Sequence, residues 1–333
     1  MPVATEITYT VEALHLEFTS KEWKQVFAFK QQWAERKRVP LARETWRSLK
    51  DRCLRLLTSG KSLFLVWENE MALGTLLLYQ KPRLAPEYVF VHHDFVVAYF
   101  DQGLIKKVLE AYVSAWPASK YLVLTSTDAR NDYLEQSLSL QVSEERELFE
   151  LKLKQRNNSL MNDWEQKDEF AIIDKAKLPL GQLYDYYSMI RELTGDVTYK
   201  SKLFDEEILA PAQIIKREQT YQARGIQQLV LLMLRSDELV GYTEVIVYPE
   251  EPTVAYQNMT GIRKQFRGRG LGSWLKVSMI QLLLDKHSEV SIVKTAIHPR
   301  NASSQRLNRQ LGFRKVGTYK EYIITKESIL SQL

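Results

Sequence analysis

Thr260 to Gly272 reads T-G-I-R-K-Q-F-R-G-R-G-L-G and stands between a strand-like run, TVAYQNMTGI, and an amphipathic helical run, LGSWLKVSMIQLLLDK. Gly268, Gly270 and Gly272 fall within five positions, so the backbone there can approach a ligand closely and adopt conformations that a Cβ forbids. Because the segment opens a helix, unpaired N–H groups and the positive end of the helix dipole point at whatever binds. An anion is the natural occupant, and a diphosphate would be held by several amides at once. Arg263, Lys264, Arg267 and Arg269 add counter-charge. No Gly-Lys-Ser/Thr follows, so this is not a Walker loop, and the glycine spacing is not that of a dinucleotide fingerprint. Taken alone, the loop also reads as a glycine-rich turn with solvated basic residues.

A second polar segment follows 29 residues after Gly272: N-A-S-S-Q-R-L-N-R-Q-L-G-F, Asn301 to Phe313. It reads as a short helix closed by a glycine. Leu307, Leu311 and Phe313 are expected in the core. Asn301 has two readings: a hydrogen-bonding contact to the amides of an extended ligand, or simply the helix N-cap.

These segments need a frame, and the chain repeats one. Each half runs strand, two helices, three strands, helix, strand, helix, and a final pair of strands. In the first half EITYTVEALHLEF is a strand, SKEWKQVFAFKQQWAERKR and ARETWRSLKDRCLRLL are helices, and SLFLVWENEMALGTLLLYQ is two strands turning at Glu68-Asn69-Glu70. YVFVHHDFVVAY, QGLIKKVLEAYVSAW and YLVLTST complete the series. In the second half EFAIID, LGQLYDYYSMIRELTG, DEEILAPAQIIKREQTYQARG, QQLVLLMLRSDELVGYTEVIVY, TVAYQNMTGI, LGSWLKVSMIQLLLDK and VSIVKTAI follow the same order, with Leu275, Met279 and Leu282 on one helix face. FDQGL at Phe100 answers FRGRGL at Phe266, and TSTDARN ending at Asn131 answers TAIHPRN ending at Asn301. Asn131 lies 28 positions after Gly103, and Asn301 lies 31 after Gly270. The expected fold is α/β (α+β): two tandem domains, 1–155 and 162–333, each a mixed, mostly antiparallel twisted sheet flanked by helices. The boundary falls in the polar stretch Lys154 to Asn162.

Arg267-x-x-Gly270-x-Gly272 after a strand, followed by Asn301, Leu307 and Leu311-Gly312-Phe313, resembles the GCN5-related N-acetyltransferase (GNAT) superfamily, whose pyrophosphate loop is Q/R-x-x-G-x-G/A. The tandem arrangement is similar to that of two-domain members, including mycothiol synthase and self-resistance enzymes that acetylate amine-bearing peptide antibiotics. The resemblance implies acetyl-CoA as acyl donor and direct N-acetyl transfer in a ternary complex, with no metal. It implies that Arg267, Gly268, Arg269, Gly270, Leu271, Gly272 and Ser273 hold the diphosphate. The backbone of Thr260, Gly261 and Ile262 would pair with the pantetheine arm, and Asn301 and Ser304 would touch it. The thioester would lie where TVAYQNMTGI and VSIVKTAI splay apart. The first half has Phe100 and Ile105 where the second has Arg267 and Gly272, and it lacks Leu-Gly-Phe. It is therefore expected to be a degenerate copy that shapes or covers the acceptor site.

Acetyl transfer needs a neutral amine, a polarised carbonyl, and a proton for the departing thiolate. The family's usual acid is a tyrosine seven positions after the asparagine, and here that position is Asn308. Tyr319 or Tyr322 is the expected replacement, against a plain strand role. Glu244 and His298 are the candidate bases. Glu244 could instead bind a cationic acceptor or sit in a surface ladder, and His298, before Pro299, could be an exposed loop residue. Gln257 is expected either to contact the acceptor or to serve strand packing, and Asn308 is expected to contact the acceptor.

Composition agrees with a globular enzyme: 333 residues, 45% hydrophobic and 26% charged, suffice for two cores. No apolar run reaches the length of a spanning helix and the start carries no signal-peptide pattern, so no membrane role and a cytoplasmic location are expected. The single Cys53 reads as a buried inert thiol, and His92 and His93 have no metal-ligand spacing. A net charge of +5, concentrated near RKQFRGRG, points to a local anion site and not to nucleic acid, for which the stacking aromatics are missing. The acceptor is expected to be a small polar molecule with a primary amine, such as an amine-bearing antibiotic, the protein acting as monomer or dimer. Alternatives are acetylation of a protein N-terminus or lysine, and a non-catalytic acyl-CoA sensor.

Overall fold

A computed structural model of the protein describes residues 9–13, 19–37, 53, 61–68, 71–80, 87–95, 102–127, 135, 140, 142–156, 168–195, 210–331 and 333. Most of the helix expected over ARETWRSLKDRCLRLL, the turn at Asn69, Phe100 and Asn131 lie outside these residues, as does most of the expected boundary stretch.

The first half supplies β1 (Tyr9–Ala13), α1 (Ser20–Lys37), β2 (Ser62–Glu68), β3 (Met71–Tyr79), β4 (Tyr88–Phe95), α2 (Gln102–Ala115), β5 (Tyr121–Thr127) and β6 (Val142–Lys152). The second half supplies β7 (Ala171–Asp174), α3 (Leu183–Gly195), α4 (Pro211–Ala223), β8 (Gln227–Arg235), β9 (Glu238–Val247) and β10 (Val254–Ile262). After these come α5 (Leu271–Lys286), β11 (Ile292–Ile297), α6 (Ala302–Leu311), β12 (Arg314–Thr325) and the short α7 (Lys326–Leu330). The chain folds into two compact units, 1–145 with 319–333, and 146–318.

In the first unit the strands run β1, β2, β3, β4, β5 and then the C-terminal stretch of β12. Neighbours are antiparallel except β4 and β5, which are parallel. The second unit repeats this order as β7, β8, β9, β10, β11 and then β6, again antiparallel except for β10 and β11. The repeat legible in the sequence thus extends to strand order and to the place of the parallel pair. One detail departs from a linear division at 155/162. The strand that follows β5 in the chain pairs with β11, and the strand that ends the second half pairs with β5, so each half closes its sheet with a strand from the other.

Burial explains the elements. In α2 the buried Leu104, Ile105, Val108, Leu109 and Tyr112 recur at helical spacing and pack on Val89, Val91, Tyr322 and Ile324. Trp23 and Val26 of α1 cover Leu63 and Leu65 with Cys53, whose thiol is buried as expected. In the second unit β9 is buried on both faces, because helices cover both. Leu275, Met279 and Leu283 of α5 face Val245, Ala255 and Val293 on one side. Tyr186 and Ile190 of α3 and Ile214 of α4 face Leu232 and Tyr242 on the other. Leu283 at the end of the seam has no exposed surface, and Leu282 packs, partly buried, against the same cluster.

Candidate active site

The loop between β10 and α5 has the local geometry its glycines suggested. A short 3-10 turn at Lys264–Phe266 anchors Phe266 in the core, after which Gly268 and Gly270 adopt φ values of +79° and +77°. Other residues reach this left-handed region only at a cost. Gly270 is the N-cap of α5, and no side chain caps that helix. The first turn of a helix leaves its N–H groups without intrahelical acceptors, so a row of amides opens beside an exposed loop. Gly272 sits over Ile262, the last residue of β10, and Ser273 donates its N–H to the Gly270 carbonyl at 3.1 Å.

The arginines do less than counter-charge alone would suggest. Arg267 turns back, its Nε donating to the Ile262 carbonyl at 2.8 Å, and so clamps the loop to the strand end. Arg269 lies 3.3 Å from Glu169, which also pairs with Arg235. Arg263 is held by Glu192 and by the Leu239 carbonyl. Positive potential at the loop therefore rests on the helix start as much as on side-chain charge.

Next to the loop, β10 and β11 diverge. Their parallel pairing covers Val254–Tyr256 against Ile292–Lys294 and ends there, with the Thr295 hydroxyl donating to the Gln257 carbonyl at 3.1 Å. On its other side β10 stays paired with β9 through Thr260, Gly261 and Ile262, opposite Thr243, Tyr242 and Gly241. That leaves the β11-facing edge of Thr260–Ile262 free of strand pairing. Three steps on β10, Gln257 to Thr260, match two on β9, Val245 to Thr243: a bulge of one extra residue at the mouth of the splay.

Glu244 lies opposite this bulge, on the face covered by α3 and α4, and is only 3% exposed. Its carboxylate accepts from Gln228 Nε2, from Arg217 at 3.4 Å and from Asn258 at 3.2 Å. The surface-ladder reading is thereby excluded, and three donors that sequence reasoning missed converge on it. Gln257 is buried too, and its amide is used internally, donating to Thr243 Oγ1 at 3.0 Å and to the Glu244 carbonyl at 2.9 Å. It fills the bulge, as the strand-packing reading has it.

Asn301 caps α6, accepting from the Ser304 N–H at 3.2 Å and the Ser303 hydroxyl at 3.0 Å, and both Asn301 and Ser304 are partly exposed. His298 is also half-buried, its Nδ1 accepting the Arg300 N–H at 3.1 Å. Asn308 is fully buried, and its Oδ1 accepts from Lys276 Nζ at 2.7 Å. Tyr319 sits opposite Thr127 in the first unit, and Tyr322 is wholly buried there with its hydroxyl donating to Glu135 at 3.0 Å. Strand exchange, which local pattern does not encode, took both tyrosines out of the unit that holds the glycine loop. Sequence reasoning also passed over Lys276, although it stands on the buried stripe of α5, four residues after Gly272 and four before Ile280. Among the described residues no cluster of His, Cys, Asp and Glu could hold a metal ion, and no helix is long and apolar enough to cross a membrane.

Known proteins resemble the chain. A family model described as Acetyltransferase (GNAT) family matches residues 191–313, all within the second unit. Over 152 residues, 45% of this chain and 82% of the relative, the sequence is 30% identical to phosphinothricin N-acetyltransferase of Streptomyces coelicolor. Among solved structures, a tandem GNAT protein from the clavulanic acid biosynthesis pathway superposes with a TM-score of 0.67 at 15% identity, covering 96% of this chain and 98% of that one. A GCN5-related N-acetyltransferase from Sphaerobacter thermophilus gives 0.60 at 13% identity, with 96% of each chain covered. At such identities the structural likeness speaks for the fold, a mixed, mostly antiparallel sheet flanked by helices. With the family model falling on the glycine loop, the splayed strands and α6, and a Streptomyces relative 30% identical over 82% of its own length, the chain belongs to the GNAT family and is an N-acetyltransferase.

Proposed function

We propose that the second unit binds one acetyl-CoA and transfers its acetyl group directly to a primary amine on a small polar molecule, such as an amine-bearing antibiotic. The observation that carries this reading is the start of α5: an uncapped helix N-terminus with two left-handed glycines, beside a strand edge left unpaired. The amides of Gly268 to Gly272 suit a diphosphate, with the Ser273 side chain beside them and Arg267 and Arg269 as the framing cations. The free edge of Thr260–Ile262 suits the amide-bearing pantetheine arm, added as a strand is added to a sheet. Asn301 and Ser304 stand at the start of α6 to meet the same arm. When bound, acetyl-CoA, the donor that the family generally uses, supplies an activated thioester carbonyl.

The bulge leaves Asn258 and Met259 without register partners on β9, and we assign their backbone N–H groups the role of polarising that carbonyl. Glu244 is the carboxylate at the bulge, and we assign it the proton lost by the attacking nitrogen, with Arg217, Gln228 and Asn258 setting its orientation. His298, at the far end of β11, is the alternative acceptor of that proton. The first unit carries FDQGL where the second has FRGRGL, and we read it as a degenerate copy that binds no donor. A relative named for N-acetylating phosphinothricin supports a small-molecule acceptor.

Calorimetry with acetyl-CoA tests the donor half of this reading: one site per chain is expected, lost or weakened by at least about tenfold in Arg267→Glu. Two equivalent sites would refute the degenerate first unit. Thiol release with polyamines, aminoglycosides, amino acids and cationic peptides then identifies the acceptor class, and turnover with an unfolded protein substrate alone would refute the small-molecule reading.

A further inference from the structure

Lys276 is the buried ionisable group that the site described above leaves without a task. It is 6% exposed, on the face of α5 that packs against α6. The groups facing its ammonium are Asn308 Oδ1 of α6, at 2.7 Å, and the Phe313 ring just beyond α6, with its centroid 5.9 Å away. Asn308 in turn has no exposed surface, and its Nδ2 is a buried donor with no acceptor. A buried ammonium without a carboxylate, next to an orphaned amide donor, is costly to fold. Both point to an electron-rich atom that the chain itself does not supply.

The topology says where such an atom would be. β10 and β11 are parallel, and α5 is their crossover, so it runs back along β10 from its start over Ile262. Lys276 is four residues past Gly272, about 6 Å back at 1.5 Å per residue. At about 3.3 Å per strand residue this is the level of Thr260, beside the bulge and the point where β11 departs. Lys276 and Asn308 therefore stand on the α5 and α6 side of the splay, while Glu244 stands on the α3 and α4 side.

We propose that the Lys276 ammonium, held by Asn308, is the proton donor to the thiolate leaving from the acyl donor, and that Asn308 Nδ2 donates a hydrogen bond to the same sulfur. This rests on the donor-site reading given above. As the amine nitrogen bonds to the acyl carbon, the carbon–sulfur bond breaks and its electron pair stays on sulfur. Sulfur takes a proton from Lys276, which is left neutral and recovers one from solvent, balancing the proton that the amine nitrogen surrenders on the Glu244 side. Burial alone lowers the Lys276 pKa to about 8, near that of a thiol, so the transfer is close to thermoneutral.

The test follows the Lys276 side chain by NMR in the full chain labelled at lysine Cε, titrated free, with CoA and with desulfo-CoA. CoA is expected to raise the Lys276 titration midpoint, because a thiolate beside the ammonium favours its charged form; desulfo-CoA is expected to leave it where it was. Equal behaviour with both overturns the proposal, and this measurement needs no substitution. In K276M, kcat is expected to fall by about 100-fold with CoA affinity within about threefold of the parent, and the alkaline limb of the kcat profile near pH 8 to vanish. A K276M chain that binds CoA, keeps kcat and keeps that limb also overturns it. Failure of the parent to bind CoA would instead strike at the loop reading itself.

Discussion

At the residue scale, the site is a set of polar side chains held where burial makes each of them expensive. Lys276 has its pKa lowered from 10.5 to about 8 by burial, so between those values the unfolded chain binds the proton that the folded chain has lost. The fold is therefore penalised in full below pH 8, and the penalty fades as pH rises toward 10.5. The shift corresponds to about 3 kcal/mol. K276M is expected to be more stable than the parent at pH 7, with the gap closing by pH 10.5, as urea midpoints at the two pH values would show; a gap independent of pH would mean that folding leaves the lysine's pKa where it is in the unfolded chain. Glu244 differs in kind, because Arg217, Gln228 and Asn258 all donate to it. Glu244→Gln keeps the shape but removes the proton acceptor, and kcat is expected to drop by about 100-fold with little change in acetyl-CoA affinity. Equal kcat in the two chains would move the base to His298. None of this partnering was legible in the sequence, where Glu244, Gln257 and Asn308 are single letters on strands and a helix; what each touches is decided by residues 16 or more positions away or across a bulge.

At the element scale, the loop and its two helices were the most legible part, because glycine, capping and helical periodicity are local signals. The three-glycine run, the α5 stripe and the α6 ending at Gly312 all follow from residue types within a few positions of each other. Two substitutions separate geometry from ligand contact. Gly270→Ala forces a Cβ into φ +77°, which costs about 1–2 kcal/mol and should weaken acetyl-CoA binding by tilting the first turn of α5. Asn301→Ser keeps an N-cap of equal quality but deletes the side-chain amide. It should leave the melting temperature unchanged while raising the acetyl-CoA dissociation constant about tenfold, as calorimetry and a thermal melt on the same sample would reveal. If affinity is unchanged as well, Asn301 is a cap and nothing more. The bulge and the splay were less legible: a one-residue register shift on β10 depends on how Gln257 packs against Thr243 and the Glu244 carbonyl, and no pattern within TVAYQNMTGI announces it.

At the scale of the whole molecule, the duplication was legible but its wiring was not. β6 and β12 are long strands of similar character, and each matches either of two similar docking edges, β5 or β11; alternation of apolar residues specifies that a strand forms, not which of two like edges receives it. The choice is written in particular contacts. Tyr322 and Ile324 of β12 pack with Leu104, Leu109 and Tyr112 of α2, and the Tyr322 hydroxyl reaches Glu135. That glutamate, held by Lys320 and Tyr322, has its pKa lowered chiefly by the Lys320 bond. In the other unit, Phe149 and Leu151 of β6 join Val293 and Leu311. The exchange makes the extreme C-terminus part of the first unit's core, so a lesion there should be felt far away in sequence. Ile324→Ala, at a site 4% exposed, is expected to cost about 2–5 kcal/mol. Its signature in hydrogen exchange should be lost protection in β4 and β5, roughly 200 residues upstream, with β10 and β11 spared. Phe149→Ala in β6 should do the reverse, loosening β10 and β11 and leaving the first unit's sheet protected. Because the glycine loop hangs from β10, only the second substitution should also weaken acetyl-CoA binding. If instead each substitution loosened the sheet of its own half of the sequence, the strands would not be exchanged, and the closing tyrosines Tyr319 and Tyr322 would return as candidates for the acid in the second unit.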